Sequence, residues 1–328
     1  LNLMLLLAAA HAADVWTGAN LRGAGGVGIA HPGDNAAITQ NPANLGLSAR
    51  YDAMGMFTVG PLSEGAIARQ ALGLVDVPAL PDLEWGLSLA DSQTNKKVAF
   101  GLAYSGGLVN PPLLPAEVPG FTITGEVAPN YRRTHDFAVA LAAPLFDRKL
   151  SFGAAAGLYF YNGDRIGNGV TFDLDVGVSG QPVKWLTLGL TGQNLIPLEG
   201  FASPDGYIGA GVLGGLTDVA FVEADVQYRW EDAGLSPWSV NAGTEVAVGL
   251  GRVRAGYRFN GDLAQHGVTW GLGVKGKAGG LEYGMQIPIV EGLAFGDLVH
   301  VISLRIDTNG FRFDTEPEGE DPAEMWQR

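Results

Sequence analysis

Val170-Thr-Phe-Asp-Leu-Asp-Val-Gly-Val178 alternates without a break: Val170, Phe172, Leu174, Val176 and Val178 share one face of an extended chain, Thr171, Asp173, Asp175 and Gly177 the other. Successive strand side chains point to opposite sides of a sheet, so one face wants hydrocarbon and the other water. Two carboxylates on one strand face could ligate a cation, but more often they meet water, and that is the expectation for Asp173 and Asp175.

The pattern recurs in both directions. Val222, Ala224, Val226, Tyr228 and Trp230 oppose Glu223, Asp225, Gln227 and Arg229; Val253, Ala255, Tyr257 and Phe259 oppose Arg254, Gly256 and Arg258; Leu281, Tyr283, Met285 and Ile287 oppose Glu282, Gly284 and Gln286. From Tyr51 to Asp307 the spacing predicts about fourteen strands, at 51-59, 84-91, 97-105, 134-144, 150-162, 169-180, 184-194, 207-216, 221-230, 237-249, 252-260, 267-277, 281-289 and 299-307. That is the signature of an all-β, transmembrane antiparallel β-barrel. A bilayer leaves only helices and closed barrels as ways to satisfy every backbone group, and no apolar run here is long enough for a spanning helix. An even strand count puts both ends of the barrel on the periplasmic side, with short turns there and long connections at 60-83, 106-133, 196-206 and 290-298 outside. Trp85, Trp185, Trp230, Trp238 and Trp270 fall at or near the expected strand ends, where indoles prefer the headgroup level.

Composition narrows the alternatives. Gly 49 is about twice the usual share, and much of it alternates with large residues, as small lumen-facing side chains do. A secreted sandwich would carry a polar, charge-rich outer face; charged residues make up only 16% here. The net charge of -14 argues against a nucleic-acid partner, since no basic stripe is present to neutralise phosphates. Cys 0 fits an exported chain.

Three flanking segments differ in character. Residues 1-13, apolar, short and ending in Ala10-x-Ala12 spacing, read as a signal peptide truncated at its basic end. Residues 308-328 include Asp314-Thr-Glu-Pro-Glu-Gly-Glu-Asp-Pro-Ala-Glu324, which cannot build a core and reads as a disordered periplasmic tail. Residues 14-50 hold a stretch rich in Gly, Asn and Pro with small Ala side chains, suited to an irregular segment that must satisfy its backbone through turns and wall contacts. Gly23-x-Gly25-x-x-Gly28 matches a dinucleotide fingerprint formally, but no buried strand precedes it and His31-Pro32-Gly33 interrupts the helix the motif needs on its C-terminal side.

In Gly25, Gly26, Ala30, Asp34, Ala36, Asn41, Pro42, Ala43 and Leu45 the region 20-50 resembles the N-terminal region of the FadL-type outer-membrane transport proteins and their PorV-like relatives, in which a Gly-rich opening leads into an Asn-Pro-Ala-x-Leu motif. Beyond that region the likeness is architectural. The resemblance implies that residues 14-50 form a plug inside a fourteen-stranded barrel spanning 51-307, with Gly25, Gly26, Asp34, Asn41, Pro42, Ala43 and Leu45 as its characteristic positions.

Chemistry for catalysis is absent from the sequence. There is no G-x-S-x-G elbow, H-E-x-x-H pair or cysteine cluster, the five histidines are scattered, and His300 is the one position to check against a serine. No metal or cofactor is expected. Glu223, Asp225, Arg229, Glu245, Arg254, Arg258, Lys275, Glu282 and Arg305 fall on the polar faces of late strands, where opposite charges can pair across neighbours as a salt-bridged wall. The expected outer connection 106-133 is apolar, and Leu108, Val109, Leu113, Leu114, Val118 and Phe121 are its candidate ligand-binding residues. The expected function is passive uptake of a hydrophobic small molecule, of long-chain fatty acid or aromatic hydrocarbon type, by a monomer in the outer membrane of a Gram-negative bacterium. Its partners are then outer-membrane lipids and the ligand. The alternative is a PorV-like, non-transporting barrel that binds proteins of a secretion or surface-attachment complex.

Overall fold

In a computed structural model, which describes residues 18–60, 83–109, 132–163, 167–196, 206–217, 219–229, 237–260, 267–276, 278–289 and 298–307, fourteen antiparallel strands close into one barrel in sequence order. They are β1 (Tyr51–Val59), β2 (Leu83–Asp91), β3 (Ala99–Val109), β4 (Arg132–Leu145), β5 (Leu150–Gly163), β6 (Gly167–Val183), β7 (Leu186–Gln193), β8 (Tyr207–Thr217), β9 (Ala220–Arg229), β10 (Trp238–Val248), β11 (Gly251–Asn260), β12 (Gly267–Gly276), β13 (Gly279–Pro288) and β14 (Val299–Asp307). The seam runs between β1 and β14, with Asp52 opposite Asp307 and Val59 opposite His300. Closure leaves no sheet edge at the seam, which is what a hydrocarbon surrounding demands.

The two faces obey the alternation. Val170, Leu190, Leu272 and Leu304 are exposed on the outside, while Thr171, Thr191, Thr269 and Ser303 are buried against the interior. No described helix is long and apolar enough to cross a membrane; the strands present the apolar belt instead. Outer-face aromatics lie mostly toward the long-loop end: Trp85 covers Gly106, and Tyr228 lies tilted against Trp238 with ring centroids 4.9 Å apart. Trp185 lies in the short turn at the opposite end, whereas Trp270 sits inside its strand, against Tyr283.

The interior is filled by the chain's own N-terminal segment. It contains α1 (Ala19–Gly23), α2 (Ala37–Gln40) and a 3-10 turn over Pro42–Gly46. The helix α1 packs on β11 to β14, and the 3-10 turn packs on β3 to β6, so the segment spans the lumen from wall to wall. Gly25 and Gly26 turn the chain after α1 at φ 88 and 78, a left-handed conformation that costs a side-chain-bearing residue dearly. Ile38 and Leu45, fully buried, pack with lumen-facing Ala90, Ala99, Ala138, Ala140, Ala142 and Ala155. Each such side chain withdrawn from water contributes about 1.5–3 kcal/mol. Where Ile38 and Leu45 pack, the lumen is thus lined by alanines of β2 to β5, while β9 to β14 carry paired charges.

Strand limits correct the sequence reading in two places. β3 and β4 run on to Val109 and start again at Arg132, because their ladder continues through Leu108↔Arg133 and Val109↔Arg132. Leu108 and Val109 are thus wall residues, not loop residues. β7 is the opposite case, ending at Gln193. Residues 1–17 and 308–328, Trp230, and Leu113, Leu114, Val118 and Phe121 lie outside the described residues.

Candidate functional site: the lumenal segment and a break in the wall

Asn41 is the pivot of the lumenal segment. Fully buried, it precedes Pro42, whose ring cannot donate, and its Oδ1 accepts Ala43 N–H at 3.2 Å to start the 3-10 turn. Its Nδ2 donates to Ile29 O at 2.7 Å and to Ser179 Oγ on β6 at 2.9 Å. Ser179 Oγ in turn donates to Asn44 Oδ1 at 2.6 Å, and Asn44 Nδ2 donates to Gly28 O and Ile29 O, each at 3.1 Å. Gln193 of β7 donates to Thr39 O at 2.6 Å. Asn41→Ala removes the acceptor of Ala43 N–H, the donor to Ser179 Oγ and one of the two amide donors to Ile29 O, a loss of roughly 1–3 kcal/mol. We expect protease to cut the lumenal segment faster in that variant while the barrel keeps its heat-modifiable migration in detergent gels; cleavage at the unmodified rate means that Asn41 does not pin the segment.

The wall meets this segment through glycine. A Cβ on Gly153 of β5 would lie 2.3 Å from Ala43 N, and one on Gly189 of β7 would lie 2.1 Å from Ile29 O. The same holds for Gly243 against Ala24 O at 2.0 Å, Gly256 against Gly25 N at 2.3 Å and Gly284 against Ala19 O at 2.4 Å. Backbone lies on backbone at β5, β7, β10, β11 and β13. Near Asp225 the wall donates nothing but accepts: Gly28 N–H and Ile29 N–H bond to its Oδ2 at 2.7 and 3.1 Å.

Charges divide between wall pairs and pairs with the lumenal segment. Arg254 bridges Glu245 at 2.5 Å and Glu282 at 2.9 Å, and Arg252 adds a contact to Glu245 at 3.4 Å. These residues join β10, β11 and β13 through the lumen face. Glu223 instead holds His31 of the lumenal segment at 2.6 Å. Burial lowers the His31 pKa, yet the attraction and hydrogen bond of Glu223, with Asp34 and Glu245 behind it, outweigh burial and raise it. Arg305 bonds both Asp52 across the seam and Gly33 O at 2.7 Å. Beside it Arg50 donates to Asp34 O at 2.5 Å, Asp34 Oδ1 accepts Ala36 N–H at 2.7 Å, and Asn20 donates to Asp34 Oδ2. Burial opposes ionisation of Asp34, but the Ala36 N–H, Arg305 and His31 hold its pKa below the usual value. Arg258 lies near Gly26, and Arg229 and Lys275 are further lumen-face residues of β9 and β12.

Several of these positions escape sequence reasoning. Arg148 comes after Phe146 and Asp147 in a turn where all three have φ between 52 and 63, and it donates to Gly46 O and Ser48 O at 3.1 and 3.2 Å. Arg50, Asp52, Ser179 and Gln193 are equally silent, since each gains its role from a partner remote in sequence. His300 sits on the outer face, bonded to Tyr283 Oη at 2.7 Å, away from the lumen.

The second feature is a break in the wall. β5 and β6 pair along their whole length, from Leu150↔Gly180 to Gly163↔Gly167. β6 and β7 pair only from Val176↔Gly192 downward. At Asn194, with φ 50, the chain leaves the ladder; Asn194 N–H turns to Asp175 Oδ1 at 2.9 Å and Leu195 N–H to Leu174 O at 3.0 Å. Above that point β6 has no ladder partner on its β7 side among the described residues. Outside, at the foot of the break, lies an open depression of about 880 Å³. Phe152, Val176, Leu190, Ile208, Val226 and Trp238 surround it, and Gly192 and Ala210 lie among them as small residues. Asp175 is buried, contrary to the expectation that it meets water.

A closed cylinder of fourteen antiparallel strands, apolar outside and occupied within by the segment that precedes β1, is a transmembrane β-barrel of the plugged kind. Among solved structures the same fold is seen in the toluene transporter TbuX of Ralstonia pickettii, with 15% identity, a TM-score of 0.66 and coverage of 90% of this chain and 99% of that one. It is seen too in the toluene transporter TodX of P. putida, with 12% identity, a TM-score of 0.64 and coverage of 89% and 99%, and in the monoaromatic hydrocarbon channel CymD, with 13% identity, a TM-score of 0.57 and coverage of 90% and 98%. At such identities the likeness establishes the fold. No protein-family model and no curated protein sequence matches the chain.

Proposed function

We propose that this barrel sits in the outer membrane of a Gram-negative bacterium and lets hydrophobic small molecules, of aromatic hydrocarbon or long-chain fatty acid type, pass down their gradient through the wall. The observation that carries the reading is the break between β6 and β7 together with the apolar depression at its outer foot. Among the described residues the β6–β7 ladder ends at Val176↔Gly192, and a barrel whose only task is to stand closed gains nothing from ending a ladder at half height. An apolar solute would leave the lumen sideways at the break, and the lumenal segment would block the polar route below. TbuX and TodX, described as toluene transporters, and CymD, described as a monoaromatic hydrocarbon channel, support the same class of solute.

The anchoring alternative draws on one observation, the backbone-to-backbone seating of the lumenal segment, which suits a barrel that never conducts. Uptake separates the two readings. Cells carrying the chain should take up labelled toluene faster than cells without it. Ala210→Trp, which fills the depression, should slow uptake on the order of tenfold, the factor that 1.4 kcal/mol of added barrier represents. Equal uptake with and without the barrel rejects the conduit; an Ala210→Trp barrel as fast as the unmodified one rejects this route.

A further inference from the structure

We propose that the β4–β5 and β6–β7 turns bind the headgroup of an anionic phospholipid from the leaflet at the short-turn end, and that one of its acyl chains runs into the outer depression. The site does not depend on the conduit reading. Every lysine of this chain, whose net charge is -14, falls in or beside a short connection: Lys96 and Lys97 between β2 and β3, Lys149 between β4 and β5, Lys184 between β6 and β7, and Lys275 and Lys277 at the end of β12. Lysine gathered at one end of a barrel meets the phosphates of one leaflet.

Two of these lysines are brought to one point. β6 bulges between Gly180 and Val183, and a bulge re-aims the chain locally, often beside a functional site. Within the bulge Gln181 N–H donates to Lys149 O at 2.7 Å, and Gln181 Nε2 donates to Lys184 O at 3.1 Å. One residue thus holds the backbones of both turns. Lys149 and Lys184 are exposed, and among the described residues neither has a carboxylate partner. Arg148 does not compete for an anion here, since it donates to Gly46 O and Ser48 O. Asp147 is the one carboxylate of the two turns. Trp185, next to Lys184, is 57% exposed, as suits an indole at headgroup level, and Phe146 adds apolar surface at 74%.

From this point an apolar track leads to the depression. Gly180 shares the outer face of β6 with Val176 and Val178, and lies between Leu150 of β5 and Leu188 of β7. A Cβ on Gly180 would come no closer than 3.6 Å to Lys149 O and 3.7 Å to Leu150 Cδ1, so its bare backbone leaves a shallow channel between two leucines. Two residues along the strand, Val178 lies between Phe152 and Leu190, and all three border the depression. From Gly180 to Val176 the strand rises about 13 Å, within reach of an ordinary acyl chain. A phospholipid uses both surroundings at once; a free anion uses only the lysines, and an apolar solute only the track.

For the test, the full chain purified in detergent is mixed with equal amounts of dioleoylphosphatidylglycerol and dioleoylphosphatidylcholine, which share their chains and differ in headgroup charge. Native mass spectrometry counts the lipid retained. The expected result is a single phosphatidylglycerol per barrel, favoured about tenfold, within what two lysines beside an anionic headgroup supply. Lys149→Gln/Lys184→Gln should abolish the preference, and Lys149→Arg/Lys184→Arg should keep it. Lys96→Gln/Lys97→Gln, which removes the same charge from another turn, should leave it unchanged. Gly180→Leu puts on the lipid-facing side a residue already accepted at 150 and 188, fills the channel, and should lower retention of both lipids several-fold. Equal retention of the two lipids overturns the proposal, as does a preference that survives Lys149→Gln/Lys184→Gln. A preference that falls as far in Lys96→Gln/Lys97→Gln overturns it too, leaving a basic rim without a site. Retention unchanged by Gly180→Leu overturns the path of the chain. Toluene uptake by the unmodified barrel decides the conduit separately.

Discussion

Gly153→Val and Gly243→Val each unseat the lumenal segment and open the barrel to small polar solutes. At both positions the first added atom meets backbone: Ala43 N and Pro42 C at 2.3 and 2.4 Å in one case, Ala24 O and C at 2.0 and 2.6 Å in the other. Side chains can swing aside, but these backbone atoms move only with the whole segment. Overpacking a core that can adjust costs about 1–3 kcal/mol, and here both sides are backbone, so the upper end of that range applies. Since every 1.4 kcal/mol is tenfold, influx of a chromogenic β-lactam should rise by roughly an order of magnitude or more. Heat-modifiable migration should persist, because the outer face is untouched. Gly55→Val is the control: on the outside of β1 its nearest neighbour is Leu87 Cδ2 at 3.5 Å, ordinary contact. Wild-type influx in both lumen-facing variants would mean that the segment does not seal the pore.

Arg254→Met destabilises the barrel more than any single loss of a wall hydrogen bond. The guanidinium is 5% exposed and joins Glu245 to Glu282 across β10, β11, β12 and β13. Removing it leaves two carboxylates facing each other, relieved among the described residues by the 3.4 Å contact of Arg252 to Glu245 and the more distant ammonium of Lys275. Breaking a buried ion pair from one side costs about 3–5 kcal/mol, most of it the penalty of the charge left behind. The urea midpoint of the barrel in lipid vesicles should fall accordingly. The triple variant Arg254→Met/Glu245→Gln/Glu282→Gln should recover most of the loss, because nothing charged is then stranded. If the triple variant is no more stable than the single one, the effect belongs to packing and not to charge.

The barrel is legible because each strand carries its two environments in alternate residues, as Val170 to Val178 does. The lumenal placement of residues around Asn41-Pro42-Ala43 is what the resemblance of region 20-50 implies, while the even strand count and the polar-face placement of Glu245, Arg254 and Glu282 come from that alternation. The partners of the lumenal segment do not. Gly189 has to be glycine because Ile29 O lies against it, and no local pattern encodes a contact of that separation. The end of β7 does leave a trace: Leu188 and Leu190 face out, so Asn194 would fall on the outer face, a polar residue where the pattern calls for an apolar one.

Ala19 N–H bonds Ser303 Oγ across 284 residues of chain, and Arg305 reaches Gly33 O across 272. The first described residues thus stay without these partners until the last strand is in place, and that strand also closes the ring. Contacts of such sequence separation are slow to form because loop closure must precede them. Arg305 grips Asp52 of the first strand and the lumenal segment together, so sealing the cylinder and fastening its contents are one late event. Until then the chain is an open, curled sheet whose two edges and loose leader must be kept from other chains.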